Sequence, residues 1–339
     1  MNANYVVGDT TIRVHDGLEP GAAQLRRQDA IAGVLLGMAV GDAIGLPWEG
    51  LSARRGRRLF GSGGLRHRFF FGRGMVSDDT EHAVMTAQAL LAAGNDIERF
   101  QRSLAWRLRF WLLGVPAGIG LGTLRAILKL WLGFSPSQSG VKSAGNGPAM
   151  RAPIIGAVFT HYPETMRAVL SASTRMTHRD TRAEQGALAI AAAAAFATEQ
   201  GATASVHGEP LRQIRAQILD GELQEMLDNV ADHLNKRSTP EELAAALGLA
   251  NGVTGYIHHT TAVALFCWLR YPGFSSERRV CRPARRRYGY RGRHCGCVGR
   301  RDNRRIAITQ GVARWPDRMA ALGRLAPTSG RTCRAAISG

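Results

Sequence analysis

The sequence predicts an all-α protein, and three observations carry that reading. From residue 29 to about residue 272, apolar residues return at three- and four-residue spacing. No stretch keeps the two-residue alternation of a half-buried strand for long. Helix punctuation falls where helices of ordinary length would begin and end, with Gly94 closing one apolar run and Thr239-Pro240-Glu241-Glu242 opening another.

The elements follow in order. Ile31, Val34, Leu35 and Met38 repeat at helix spacing, and Gly33, Gly37 and Gly41 form a smooth stripe suited to close packing. Residues 80–93 continue as a second helix that Gly94 stops, and residues 98–113 and 121–132 are amphipathic candidates carrying Trp106, Trp111 and Trp131. Residues 182–200 are Ala-rich, the strongest intrinsic helix former in the chain. A capping box with Pro at the first helical position opens residues 241–249, and residues 256–269 follow. Loops are expected at 51–76, 135–153 and 201–210. The first two are longer than connection alone requires, so they are where function is sought.

The 339 residues, 45% of them hydrophobic, suffice for the core of one large domain or two ordinary ones. A formal net charge of +18 would normally suggest nucleic acid or an anionic surface. Its distribution argues otherwise: residues 275–305 hold twelve Arg against Glu277 and Asp302, which is +10 in one short segment. Three of the five cysteines (Cys281, Cys295, Cys297) fall there too, leaving Cys267 and Cys333 elsewhere. An odd, sparse set fits a reducing compartment better than a disulfide framework. The N-terminus lacks the charged-then-apolar order of a signal peptide. The apolar stretch 110–124 is too short for a membrane span and is interrupted by Pro116 and four glycines. The expectation is a soluble cytoplasmic protein with no membrane partner.

Three segments could carry chemistry. Ser77-Asp78-Asp79-Thr80 reads as a helix N-cap, with Ser77 capping and two carboxylates facing the positive end of the helix dipole. The same oxygens could also supply ligands to a hard cation such as Mg²⁺, Mn²⁺ or Ca²⁺. Glu49 follows a buried-looking Pro47-Trp48 and could be an ordinary loop residue, while Asp42 could be a helix C-terminal residue bonded to local amides. Gly145-Asn146-Gly147-Pro148 is a turn by composition. With Ser143 before it and Met150-Arg151 after it, it could also present backbone N–H groups to a diphosphate. His178, between Thr177 and Arg179, is either a structural histidine at a helix edge or a ligand contact.

Taken together and in this order, GVLLGMAVGDAIGLPWEG, SDDT, GNGPAMRAPIIG, the Thr177-His178 pair and GYIHHTTAVALFCWLRYP resemble the ADP-ribosylglycohydrolase family. That family includes dinitrogenase-reductase-activating glycohydrolases, eukaryotic ADP-ribosyl-acceptor hydrolases and lens crystallins of the J1 type. The resemblance implies a single compact orthogonal multi-helix domain over residues 28–325, after an N-terminal extension (1–27) and before a flexible tail (326–339). It further implies a binuclear Mg²⁺ or Mn²⁺ centre, and hydrolysis of ADP-ribose from modified protein side chains or from small ADP-ribosyl conjugates. Carried over, Ser77, Asp78 and Asp79 would be metal ligands. Glu49 and Asp79 would be the acids near the scissile bond, Ser143, Gly145, Asn146, Gly147 and Met150 would hold diphosphate and distal ribose, and His178 would contact the ligand.

The family closes its metal site with Gly-Gly-Asp-Thr-Asp-Thr, and no such string exists here. Arg285-Arg286-Arg287-Tyr288-Gly289-Tyr290 stands in its place. Written as CGG CGG CGA TAC GGA TAC C and read one nucleotide later, those codons become GGC GGC GAT ACG GAT ACC, which spells the missing motif. Residues 275–305 are therefore expected to be out of frame, with metal binding and activity impaired as a consequence. Two further readings stand beside this one: a catalytically silent ADP-ribose binder or crystallin-like structural protein, and an Arg-rich nucleic-acid binder using Tyr288 and Tyr290. Nucleic acid is disfavoured because no recognised module accompanies the arginines. A zinc site at Cys281, His294, Cys295 and Cys297 fits no common spacing.

Overall fold

A computed structural model describes residues 2–7, 10–15, 22–49, 53–60, 66–94, 96–116, 118–200, 208–249 and 252–271. The segment 275–305 that is expected to be out of frame, the cysteine and histidine cluster within it and the expected tail 326–339 lie outside the described residues.

The described part is helical, as the spacing predicted. It comprises α1 (Ala22–Gly45), α2 (Ala53–Phe60), α3 (Asp78–Ala93), α4 (Ile97–Leu113), α5 (Leu121–Trp131), α6 (Ala152–Val158), α7 (Pro163–Arg175), α8 (Thr181–Gln200), α9 (Glu209–Arg215), α10 (Gly221–Asn235), α11 (Pro240–Ala246) and α12 (Ile257–Arg270). An antiparallel hairpin, β1 (Asn2–Val7) with β2 (Thr10–His15), precedes them, so the N-terminal extension departs from the all-α pattern. Each strand is only six residues long, too short for alternation to stand out in the sequence.

Helix α8 is the hub. Ala183, Ala187, Ala189, Ala191, Ala193 and their neighbours are buried, and α6, α7 and α12 all pack on it. Small residues permit that approach. A Cβ on Gly156 of α6 would collide with the Ala191 backbone, and one on Gly186 of α8 would collide with Ile257 of α12. Of the glycines the opening helix advertised, Gly33 is exposed, and a Cβ there would meet nothing within 4 Å, whereas Gly41 is buried.

Helix α1 is long and apolar enough to cross a membrane by length and composition. It packs instead as a core helix, with Val34, Leu35 and Met38 buried and the fully buried Asp42 hydrogen-bonded to α3. Helices α4 and α5 bury Phe100, Leu104, Leu108, Ile127 and Leu130, while Trp106 and Phe110 stack at 5.6 Å on the outer face. The Thr239/Glu242 capping box forms as expected, with Thr239 N–H donating to Glu242 at 2.7 Å and Glu242 N–H to Thr239 Oγ1 at 3.3 Å. Helices α2, α6, α7, α9 and α10 were not anticipated. Two of them, α6 and α9, are a mere seven residues long, too few for two full periods of an apolar stripe.

Candidate functional site

Two clusters form, one at the start of α3 and one around the glycine loop. The first is organised by α1. Asp42 Oδ1 accepts from Ser77 Oγ at 2.7 Å, and its Oδ2 accepts from Ser77 N–H at 2.7 Å, Thr80 Oγ1 at 2.7 Å and Thr80 N–H at 3.3 Å. This corrects the expected cap. Ser77 occupies the N-cap position in extended conformation but makes no side-chain cap bond, because its hydroxyl donates to Asp42. A buried carboxylate at the positive end of the helix is a stronger acceptor than a neutral hydroxyl, so Asp42 takes over the capping. Asp78 and Asp79 are buried in the first turn behind it. Burial pushes the Asp78 carboxyl up to about 7, and the neighbouring negative Asp42 adds to the shift. Like-signed oxygen donors held together away from water fit a hard divalent cation, and no soft ligand is among them.

Glu49 follows directly on this region. Helix α1 runs into a 3-10 turn, Leu46–Trp48, and Glu49 ends that turn half-buried and extended, with its N–H on Leu46 O at 3.1 Å. Pro47 and Trp48 are buried as the sequence suggested. Trp48 meets Phe60 of α2 edge-on at 4.9 Å, and the Arg68 guanidinium lies 4.5 Å over the Phe60 ring.

In the second cluster the loop before α6 is pinned from α12. Asn146 N–H donates to Gly255 O at 2.9 Å, Ile257 N–H donates to Ala144 O at 3.0 Å, and Gly145 pairs antiparallel with Tyr256. Ser143 Oγ accepts from Gly145 N–H at 3.3 Å, and the Asn146 amide donates to Thr260 at 3.4 Å. Gly147 and Met150 belong to a buried 3-10 turn. His178 stands against this loop. A Cβ on Gly147 would lie 2.7 Å from His178 Cε1, and Cβ atoms on Gly122 and Gly145 would lie 2.9 and 3.1 Å from its Nε2. None of these three glycines has a positive φ, so their role is to make space for the imidazole edge rather than to permit a turn.

Arg151 ties α3 to the His178 side, and sequence reasoning noted it only as a residue following the glycine loop. Its side chain is fully buried. It donates to Ser173 Oγ at 2.9 Å, Ser173 O at 3.1 Å, Thr177 Oγ1 at 2.7 Å and His82 Nδ1 at 3.1 Å, and no carboxylate pairs with it among the described residues. Burial lowers its pKa to about 10. Because a guanidinium only donates, His82 Nδ1 must accept and its proton sits on Nε2. Thr177 Oγ1 in turn contacts His178 Nδ1 at 2.9 Å and donates to Thr174 O at 3.4 Å. The Thr177 hydroxyl thus ties the ring to Arg151, and Nε2 is the edge that faces the glycines. Burial, reinforced by the Arg151 charge, lowers the His178 pKa to about 3, so the ring stays neutral. His82 is the one new residue with a local signal, since it lies four residues beyond Asp78 on the same face of α3.

The model of the ADP-ribosylglycohydrolase family matches residues 23–288. The chain belongs to that family. Over 193 residues it is 34% identical to an uncharacterised protein of Archaeoglobus fulgidus, covering 54% of this chain and 60% of the relative. It is 27% identical over 171 residues to the ADP-ribosyl-[dinitrogen reductase] glycohydrolase of Rhodospirillum rubrum, covering 48% and 55% respectively. The matched stretches thus span less than two thirds of either relative. A solved ADP-ribosylglycohydrolase-related protein complex shares the fold, with a TM-score of 0.59 at 23% identity over 89% of this chain and 98% of that one. The all-helical architecture is accordingly that of the family.

Proposed function

We propose that this chain is built to hydrolyse the bond between ADP-ribose and a modified protein side chain or related conjugate, in the cytoplasm and with Mg²⁺ or Mn²⁺. The observation carrying this reading is one buried cation, Arg151, that donates both to His82 of α3, the helix the acidic turn opens, and to Thr177 beside the glycine-lined imidazole.

Ser77, Asp78 and Asp79 would hold the cation, with Asp42 fixing their turn. When bound, the ion neutralises these carboxylates and supplies an ordered water. Ser143, Gly145, Asn146, Gly147 and Met150 hold diphosphate and distal ribose, and the neutral imidazole of His178 contacts the ligand. Cleavage at the ribosyl carbon builds positive charge on the sugar, and Glu49 and Asp79 stabilise that charge as carboxylates.

As the chain is written, residues 285–290 replace the family's second acidic motif with three arginines, and the proposed consequence is weak metal binding and slow turnover. The same substitution favours a second reading, a silent ADP-ribose binder. Mg²⁺-dependent release of ADP-ribose from ADP-ribosyl-arginine and ADP-ribosyl-serine peptides tests both, comparing this chain with one carrying the shifted frame over codons 275–305. The expected result is binding by both proteins and fast release by the corrected one alone. Full-speed release by the chain as written, or a gene with no alternative open frame there, overturns the impairment. Failure of both proteins to bind ADP-ribose overturns the function.

A further inference from the structure

Asp220, Glu222 and His258 form a cluster that the proposed reaction does not use. Asp220 caps α10, its Oδ1 accepting from Leu223 N–H at 2.9 Å, and Glu222 sits in the first turn of the same helix. His258 lies in the first turn of α12, fully buried. Its Nδ1 is 3.0 Å from the Tyr256 hydroxyl, which in turn donates to Glu222 Oε2 at 2.7 Å. Its Nε2 has no hydrogen-bond partner, although it is buried and faces Asp220 Oδ1 at 3.8 Å. That separation, like the 3.6 Å between Nδ1 and Glu222 Oε2, lies outside hydrogen-bond range. A buried ring nitrogen with no partner is costly and calls for a ligand.

Each of the three residues brings one ligand atom within 4.8 Å of the other two. An imidazole gives an ion one nitrogen, and the one without a partner is Nε2, which faces Asp220 Oδ1 at 3.8 Å, with Glu222 completing the group from the first turn of α10. We propose that Asp220, Glu222 and His258 are a divalent-cation site separate from the acidic turn of α3, selective for a borderline ion such as Zn²⁺ because one donor is nitrogen. Arg182, whose guanidinium lies 5.8 Å over the Tyr256 ring, is held in a two-bond pair by Asp180, which offsets its charge toward the site.

An ion here ties the first turn of α10 to that of α12. The residues just before His258 are those whose backbone pins the glycine loop, at Gly255, Tyr256 and Ile257. The site therefore braces the proposed ADP-ribose loop, a consequence that rests on the ADP-ribosyl reading while the ion site itself does not.

Calorimetric titration of Zn²⁺ into the full chain tests the site. One equivalent is expected in the parent and in an Asp78→Asn/Asp79→Asn variant, and it should weaken at least tenfold in His258→Gln and in Glu222→Gln. The half-exposed Glu222 guards against a variant that simply misfolds, and circular dichroism checks both. Isotherms for His258→Gln and Glu222→Gln that match the parent overturn the proposal, as does an equivalent lost only in the Asp78/Asp79 variant. An intact zinc isotherm with no ADP-ribose binding supports this site and counts against the ADP-ribosyl reading alone.

Discussion

Each half of the candidate site is organised by one fully buried ionic residue, and the two are of opposite sign. Asp42 accepts four hydrogen bonds at the acidic turn, and two of its donors are backbone N–H groups. Arg151 donates four at the imidazole side, to two hydroxyls, a carbonyl and a histidine. The anion compensates a helix end that would otherwise be left unsatisfied, whereas the cation has no carboxylate opposite it among the described residues. Asp42 is therefore chiefly a stabilising group, while Arg151 carries a desolvation cost and serves mainly to orient what it touches.

Substitutions at the two hubs should separate these roles. Asp42→Ala strands the Ser77 and Thr80 donors in the interior, and a loss of ~3–5 kcal/mol in urea unfolding is expected, with Mg²⁺ affinity falling in parallel. Arg151→Met removes the donors but also the buried charge, so a smaller loss of about 1–3 kcal/mol is expected. If Arg151→Met proves as costly as Asp42→Ala, the contrast between the hubs fails. Its distinguishing readout is the His178 pKa, which NMR should find raised from about 3 once the neighbouring cation is gone.

Gly147→Ala tests the space around the imidazole. A Cβ 2.7 Å from His178 Cε1 and 3.1 Å from Thr123 Oγ1 displaces the ring. The expected cost is only about 1–2 kcal/mol in stability, but ADP-ribose affinity should fall tenfold or more by calorimetry. Unchanged affinity would remove the loop from the site.

The smallest effect concerns pH. The folded chain holds the His178 pKa at about 3, below the ordinary 6.5, so the unfolded chain takes up the proton first. Stability from this group is present above about pH 6.5 and is lost as pH falls toward 3. His178→Gln should flatten the decline in the urea midpoint between pH 6.5 and 4. Some slope remains, because burial keeps the His82 pKa low as well. An unchanged slope would mean that His178 is solvated.

Much of the fold was legible because its signals are local. Helices α1, α3, α4, α5, α8 and α12 announce themselves by apolar spacing, and α11 by its capping box. Short helices such as α6 and α9 lack the length for a stripe, and the hairpin lacks enough residues for alternation. Of the candidate site, the residue types were visible but their roles were not. Ser77 reads as a cap on local grounds and is overruled by a carboxylate 35 positions away, and the glycines of the loop read as turn formers when their task is to admit an imidazole.

The sequence by itself determined seven helices, α1, α3, α4, α5, α8, α11 and α12, and which short segments concentrate oxygen donors, glycines and histidine, since period and capping act over one or two turns. The tertiary structure alone decided which buried ion holds each cluster, for Asp42 meets Ser77 across 35 residues and Arg151 meets His82 across 69. A hydrogen bond between such partners exists only after α1, α3 and α6 have packed, and nothing in the spacing along the chain encodes where that packing brings them.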